Sequence, residues 1–184
     1  GPKDSLIVLD DSIVRGTTLR ESIVTILSRL NPKRIVIASS APPIMYPDCY
    51  GIDMSQLDRF VAFQAAVSLV TERGNTAFLD EIEEACRADQ DLPPYRMTNH
   101  VRRLYEQCTP SELADRIAAL VRPTNLPWKG SLEVVYQSVE DLRGAMPEHT
   151  GDWYFTGEYP TPGGFKVLNQ AYLNWREGSS ARAY

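Results

Sequence analysis

Apolar and polar positions follow two different rhythms along this chain. Residues 6–9 (Leu-Ile-Val-Leu) and 35–38 (Ile-Val-Ile-Ala) are short apolar runs with no polar interruption. Such runs suit strands buried on both faces of a parallel sheet, which read as continuous rather than alternating. Between them Leu19, Ile23, Ile26, Leu27 and Leu30 recur at helical spacing, from a start near Thr17 or Thr18 to a stop at Asn31-Pro32. That spacing predicts an amphipathic helix with one apolar face. Strand, turn, helix and strand in this order make a βαβ unit, whose ligand sites lie outside the carboxyl ends of the strands. Residues 10–18 and 39–53 are therefore the segments to search for chemistry.

Beyond Met54 the pattern becomes largely helical. Leu57, Phe60 and Val61 open one apolar face, and Phe78, Leu79, Ile82, Ala85 and Cys86 form another. Residues 89–94 are a polar break ending in Pro93-Pro94. Thr109-Pro110-Ser111-Glu112 is a helix start, with Thr as cap, Pro at the first helical position and Glu reaching back; Leu113, Ile117 and Leu120 follow on one face. Residues 132–136 predict a strand and 138–145 a short helix. Residues 153–159 predict an aromatic strand entering a turn at 160–164. Phe165, Leu168, Ala171, Tyr172 and Trp175 give a last amphipathic helix, and residues 178–184 a frayed tail.

The fold class is α/β: part of a parallel-sheet core over residues 3–54, a helical segment over 55–130, and a carboxy-terminal strand and helix over 131–177. Gly1-Pro2 reads as the scar of a tag-removing protease. A chain that opens on a strand needing neighbours on both sides reads as the carboxy-terminal piece of something longer.

Charge and cysteine content narrow the partners. With 24 acidic against 19 basic residues and a net charge of -5, the chain has no cationic surplus to neutralise a phosphate backbone, which argues against nucleic acid. Its apolar runs fall far short of the roughly 20 residues that span a bilayer. Cys49, Cys86 and Cys108 are odd in number and far apart, neither a disulfide framework nor a C-x-x-C pair, so the expected compartment is the reducing cytoplasm. His100 and His149 lack ligand partners at zinc-like spacing and read as surface or capping residues.

The chemistry concentrates in Asp10-Asp11-Ser12-Ile13-Val14-Arg15-Gly16-Thr17-Thr18, between the first strand and the first helix. Successive backbone N–H groups and the amino end of a helix suit a phosphate monoester. Ser12, Thr17 and Thr18 add hydroxyl donors, and Gly16 lets backbone approach an anion without a Cβ in the way. Two carboxylates beside a phosphate site must face something else, such as sugar hydroxyls or a bound Mg2+. The bland alternative is a helix cap and a turn, but a cap needs one acceptor, and here two carboxylates, three hydroxyls, a guanidinium and a glycine share nine residues. A phosphatase-like aspartyl nucleophile fits less well, because adjacent Asp10 and Asp11 point to opposite sides of an extended chain.

The run from Val8 through Asp10-Asp11 to Thr18 resembles the phosphoribosylpyrophosphate-binding motif of the type I phosphoribosyltransferases. Joined to Ser39-Ser40-Ala41-Pro42-Pro43-Ile44, to Tyr46-Pro47-Asp48-Cys49-Tyr50-Gly51-Ile52-Asp53-Met54 and to Trp153-Tyr154-Phe155-Thr156-Gly157-Glu158-Tyr159-Pro160, it resembles the form found in the glutamine phosphoribosylpyrophosphate amidotransferase family, the amidophosphoribosyltransferases. The resemblance implies a partial type I phosphoribosyltransferase core and, for the parent enzyme, synthesis of 5-phosphoribosylamine from phosphoribosylpyrophosphate, glutamine and water, the first committed step of purine synthesis. It implies that Asp10 and Asp11 bind the ribose hydroxyls and Mg2+, and that Ser12, Ile13, Val14, Arg15, Gly16, Thr17 and Thr18 bind the 5-phosphate. Arg15 has two readings, on the phosphate or in a salt bridge outside the pocket.

The resemblance also sets limits. The family draws its ammonia from an amino-terminal catalytic cysteine and carries its lid and pyrophosphate loop upstream, so no catalytic residue is expected here and the piece alone is expected to be inactive. Asp48 stands where some members place a cluster cysteine, and residues 149–153 contain no cysteine, which argues against an iron–sulfur cluster. Purine nucleotides as feedback inhibitors, with residues 39–43 as a candidate contact, a glutaminase domain and a homo-oligomer are the expected partners. The competing reading is a non-catalytic module that binds phosphosugars or purine nucleotides for regulation.

Overall fold

A computed structural model of the chain describes residues 1–48, 54–149 and 151–183. Cys49 and the rest of residues 49–53 lie outside the described residues. Strands β1 (Ser5–Asp10), β2 (Arg34–Ser39) and β3 (Ser131–Tyr136) pair in parallel in the order β1-β2-β3. Their register aligns Asp10, Ser39 and Tyr136 at one edge, so all three carboxyl ends open on the same side. Parallel neighbours need long crossovers. The first is the predicted helix; the second holds α2 (Val61–Glu72), α3 (Ala77–Asp89), α4 (Arg102–Tyr105) and α5 (Pro110–Val121). Helices α6 (Val139–Ala145), α7 (Trp153–Thr156) and α8 (Gly163–Arg176) follow β3. The α/β class read from the sequence holds.

Only one face of β1 is covered, against the expectation of burial on both. Leu6 and Val8 are half-buried beside Ile35, Ile37 and Val134, whereas Ile7 is 72% and Leu9 80% exposed. β1 is an edge strand in this sheet, and among the described residues no helix covers its outer face.

The first helix begins at Thr17 as predicted, and its buried face is the predicted one at Leu19, Ile23 and Leu27 but not at Ile26 and Leu30. Residues Leu19–Ile23 form a π-helical turn running into α1 (Val24–Ser28), with the N–H of Val24 bonded to the carbonyl of Leu19. A turn with an extra residue rotates the faces of the helix beyond it. The core therefore receives Leu19, Val24 and Ser28, while Ile23 and Leu27 are half-buried and Ile26 and Leu30 face outward. Asn31, at φ 49, ends the helix in the left-handed region that Asn tolerates.

Helix α2 is the centre of the helical layer. Val61, Ala62, Phe63, Ala65, Ala66, Leu69 and Val70 are all buried, and its small alanines let neighbouring helices approach. Phe63 meets Trp175 edge-on at 4.8 Å and Tyr172 at 6.2 Å, tying α2 to α8. Arg176 pairs with Glu83 at 2.7 Å and also with Asp80, joining α8 to α3. The predicted start of α5 is a full capping box: Glu112 N–H donates to Thr109 Oγ1 at 3.2 Å, and Thr109 N–H donates to the Glu112 carboxylate at 2.8 Å.

Two further expectations are corrected. Residues 153–159 are not a strand: Trp153–Thr156 is a helical turn stopped by Gly157 at φ 70, where a Cβ would strike Asn99 and Tyr46. Both N–H groups of Met45 and Tyr46 donate to the carbonyl of Tyr154, so this turn caps the proline-rich exit of β2 instead of extending the sheet. Nor do residues 178–183 fray. Gln56 Nε2 donates to the carbonyl of Ser180 at 3.0 Å, Asn174 Nδ2 donates to that of Ala181 at 3.0 Å, and Ala183 is buried.

The Tyr136 hydroxyl is buried without a hydrogen-bond partner. A buried unpaired polar group costs about 1–3 kcal/mol. Tyr136→Phe is therefore expected to leave the urea midpoint unchanged or raise it; a clear loss of stability would show that the hydroxyl has a partner.

Candidate functional site

At the carboxyl end of β1 lies a cavity of about 590 Å³, lined by Asp10, by residues 12–19 and by Met54. Every residue singled out between Asp10 and Thr18 borders it except Asp11. The turn is organised by its own acids: Asp11 N–H donates to Asp10 Oδ1 at 3.1 Å, and Ser12 N–H donates to Asp11 Oδ1 at 2.7 Å. From the exit of β2, Ser40 N–H donates to the carbonyl of Asp10 at 2.9 Å, and its hydroxyl donates to that of Asp11 at 3.3 Å. Two of the turn's amides are thus occupied by the acid pair itself.

Beyond Ser12 the side chains divide. Ile13 is 3% exposed and anchored in the core, so it can offer a ligand only its backbone. Thr17 and Thr18 are exposed at the start of the helix, where the first N–H groups have no intrahelical carbonyl to bond. Arg15 borders this cavity and also a smaller one that contains Arg20 and Gln64. Gly16 has φ 67, and a Cβ there would lie 2.8 Å from Val121 Cγ1 and 3.3 Å from Val61 Cγ2. Glycine is required by backbone conformation and by two helices behind the turn, whatever occupies the cavity. Local sequence carries no sign of those helices, because Val61 and Val121 are far along the chain.

The hydroxyl-bearing residues Ser12, Thr17 and Thr18, with Arg15 and Asp10, thus border one cavity, and Asp11 stands outside its lining. Among the described residues no group of three or more His, Cys, Asp or Glu side chains gathers at metal-binding distance. Asp10 and Asp11 are hard oxygen donors, and each uses one carboxylate oxygen on a backbone amide. The pair suits Mg2+ shared with ligand oxygens and suits a closed protein cage poorly.

The remaining candidates sit elsewhere. Ser39 is buried, and its hydroxyl donates to the carbonyl of Ala41 at 2.8 Å. Pro42 and Pro43 border a separate apolar cavity of about 540 Å³ beside α5. His100 Nε2 lies 2.8 Å from the Asp89 carboxylate, half-buried and away from the turn. Cys86 is fully buried, and burial, with Asp89 and Glu83 adding to it, pushes its thiol up to about 12. Burial likewise raises the half-buried Cys108 thiol. Neither is a reactive thiolate.

No family model matches the chain. Stretches of it are similar to curated proteins named amidophosphoribosyltransferase. That of Haemophilus influenzae is 44% identical over 68 residues, 37% of this chain and 13% of the relative. That of Pasteurella multocida is 46% identical over 59 residues, 32% of this chain and 12% of the relative. That of Schizosaccharomyces pombe is 39% identical over 85 residues, 46% of this chain and 14% of the relative. The match spans only 12% to 14% of the length of these relatives. The resemblance read from the residues is borne out over a third to a half of the chain. No helix among the described residues is long and apolar enough to cross a membrane.

Proposed function

We propose that this chain is part of the phosphoribosyltransferase half of an amidophosphoribosyltransferase and supplies the cradle for ribose 5-phosphate. The whole enzyme would make 5-phosphoribosylamine from phosphoribosylpyrophosphate and glutamine, releasing pyrophosphate and glutamate. The observation that carries the reading is the cavity at the end of β1, where Asp10 meets Ser12, Gly16, Thr17 and Thr18. Ser12, Thr17, Thr18 and the open amides hold the 5-phosphate, and Asp10 takes the ribose hydroxyls, with Asp11 shaping the turn beside it. Asp10, with Asp11 beside it, would hold Mg2+, which when bound would supply positive charge to ligand oxygens. Held at both ends, the sugar presents C1 to a nitrogen nucleophile as pyrophosphate leaves, and that displacement needs no protein nucleophile. Purine mononucleotides share the ribose 5-phosphate group and are proposed competitors at the same turn. Homo-oligomer formation belongs to the same reading.

Isothermal titration with ribose 5-phosphate, with and without Mg2+, tests the reading. Asp10→Asn is expected to weaken Mg2+-dependent binding roughly tenfold or more, the worth of a charge-assisted contact. Asp11→Asn should cost less, because Asp11 lies outside the cavity lining. Equal affinity of wild type and Asp10→Asn, or no dependence on the phosphate when ribose replaces ribose 5-phosphate, would overturn the assignment.

A further inference from the structure

We propose that the helical segment between β2 and β3 is a brace that sets the conformation of the anion turn, with Val61 and Val121 as its positioning residues. The inference rests on the ribose phosphate reading of the turn and assigns a role to residues that lie outside it. Helix α2 begins without a side-chain cap, Phe60 standing at the cap position. Its first N–H, that of Val61, donates instead to the carbonyl of Val14 at 2.8 Å. The turn thereby satisfies one of the orphan donors of α2, and α2 in turn fixes the peptide two residues before Gly16.

A second contact comes from α5. Val121, its last residue, is 1% exposed, and its Cγ1 occupies the space that a Cβ on Gly16 would need. Gly16 is held from behind by two buried, branched, conformationally stiff side chains. The end of α5 is itself anchored to the sheet. The Arg122 guanidinium lies 4.6 Å over the Trp128 ring and donates to the carbonyl of Gly130 at 2.9 Å, and Trp128 Nε1 donates to that of Pro32 at 2.7 Å. Pro32 precedes β2, so Val121 is placed relative to the same sheet that carries Asp10. The φ of Gly16 and the direction of the Gly16 and Thr17 amides are set by this frame. Cavity walls alone do not set them.

The brace is tested by comparing Val121→Ala with Leu113→Ala. Leu113 is buried in the same helix and lines the separate cavity beside it, so its loss destabilises the helix without opening space behind Gly16. Val121→Ala is expected to weaken ribose 5-phosphate binding by roughly fivefold relative to Leu113→Ala, the size of a coupling through a packed contact. The amides of Val61 and Arg20, which donate to the turn carbonyls of Val14 and Gly16, are expected to exchange hydrogen faster in Val121→Ala than in Leu113→Ala. Equal affinity and equal exchange in the two variants would overturn the brace. If wild type itself does not bind ribose 5-phosphate, the ligand assignment fails, and the exchange comparison alone decides whether the helices hold the turn. Should Val121→Ala not fold, Val61→Ala, on the other side of Gly16, is measured against Leu113→Ala by the same two readouts.

Discussion

Valine in place of Gly16 is expected to cost about 2–5 kcal/mol of stability and to abolish binding of ribose 5-phosphate. Two independent penalties add. The backbone at φ 67 is left-handed, where a side chain, and a β-branched one above all, clashes with its own carbonyl. The first carbon of that side chain would also arrive 2.8 Å from Val121 Cγ1, closer than Cβ atoms approach their neighbours, so something must shift. Gly16→Ala meets the same backbone strain and a smaller overlap, so the expected order of urea midpoints is wild type, Ala, Val. Shortening Val121 to Ala should recover part of the loss in Gly16→Ala by relieving overlap, and none of the strain. A valine variant with a wild-type midpoint would show that the turn can reshape at little cost and that neither helix confines it.

Phe63→Ala is expected to be the most damaging truncation in the helical layer, at about 3–5 kcal/mol. The ring is 1% exposed and stands edge-on to both Trp175 and Tyr172, so its removal leaves a cavity lined by two large rings that cannot collapse together. Because total stabilities of domains this size are only about 5–15 kcal/mol, a loss of this size should bring unfolding close to ambient conditions. Tryptophan fluorescence reports it directly, since Trp175 sits on Phe63 and should lose its packed environment as the midpoint falls. The loss reaches the site as well: Val61, two residues earlier in α2, donates the hydrogen bond that holds Val14. A shift below about 1 kcal/mol would mean that α8 repacks on α2 without the ring.

The division between what was legible and what was not tracks the range of the interactions involved. Runs 6–9 and 35–38 announced β1 and β2, Thr109 to Glu112 announced α5, and residues 10–18 announced a turn that borders a cavity, because each is encoded by neighbours a few positions apart. The candidate chemistry of the turn is equally local, since two acids, three hydroxyls and a glycine stand in one stretch of nine residues. The features that escaped depended on distant partners. The aromatic residues 153–156 form a helical turn because the exit of β2 needs a carbonyl for Met45 and Tyr46. The carboxy-terminal tail is ordered because Gln56 and Asn174 bond to its carbonyls.

The first helix exposes Ile26 and Leu30 because a π-helical turn rotates its face, which spacing at 3.6 residues per turn does not foresee. Periodicity tells a strand that it has a face, and only the arrangement of layers tells it which face is covered, as Ile7 and Leu9 illustrate. By itself the sequence determined the elements of the βαβ start and the residues of its turn. Only the tertiary structure decided that Val61 and Val121 close the space behind Gly16, because those contacts join residues far apart in the chain and exist only when two helices and a sheet have been brought together.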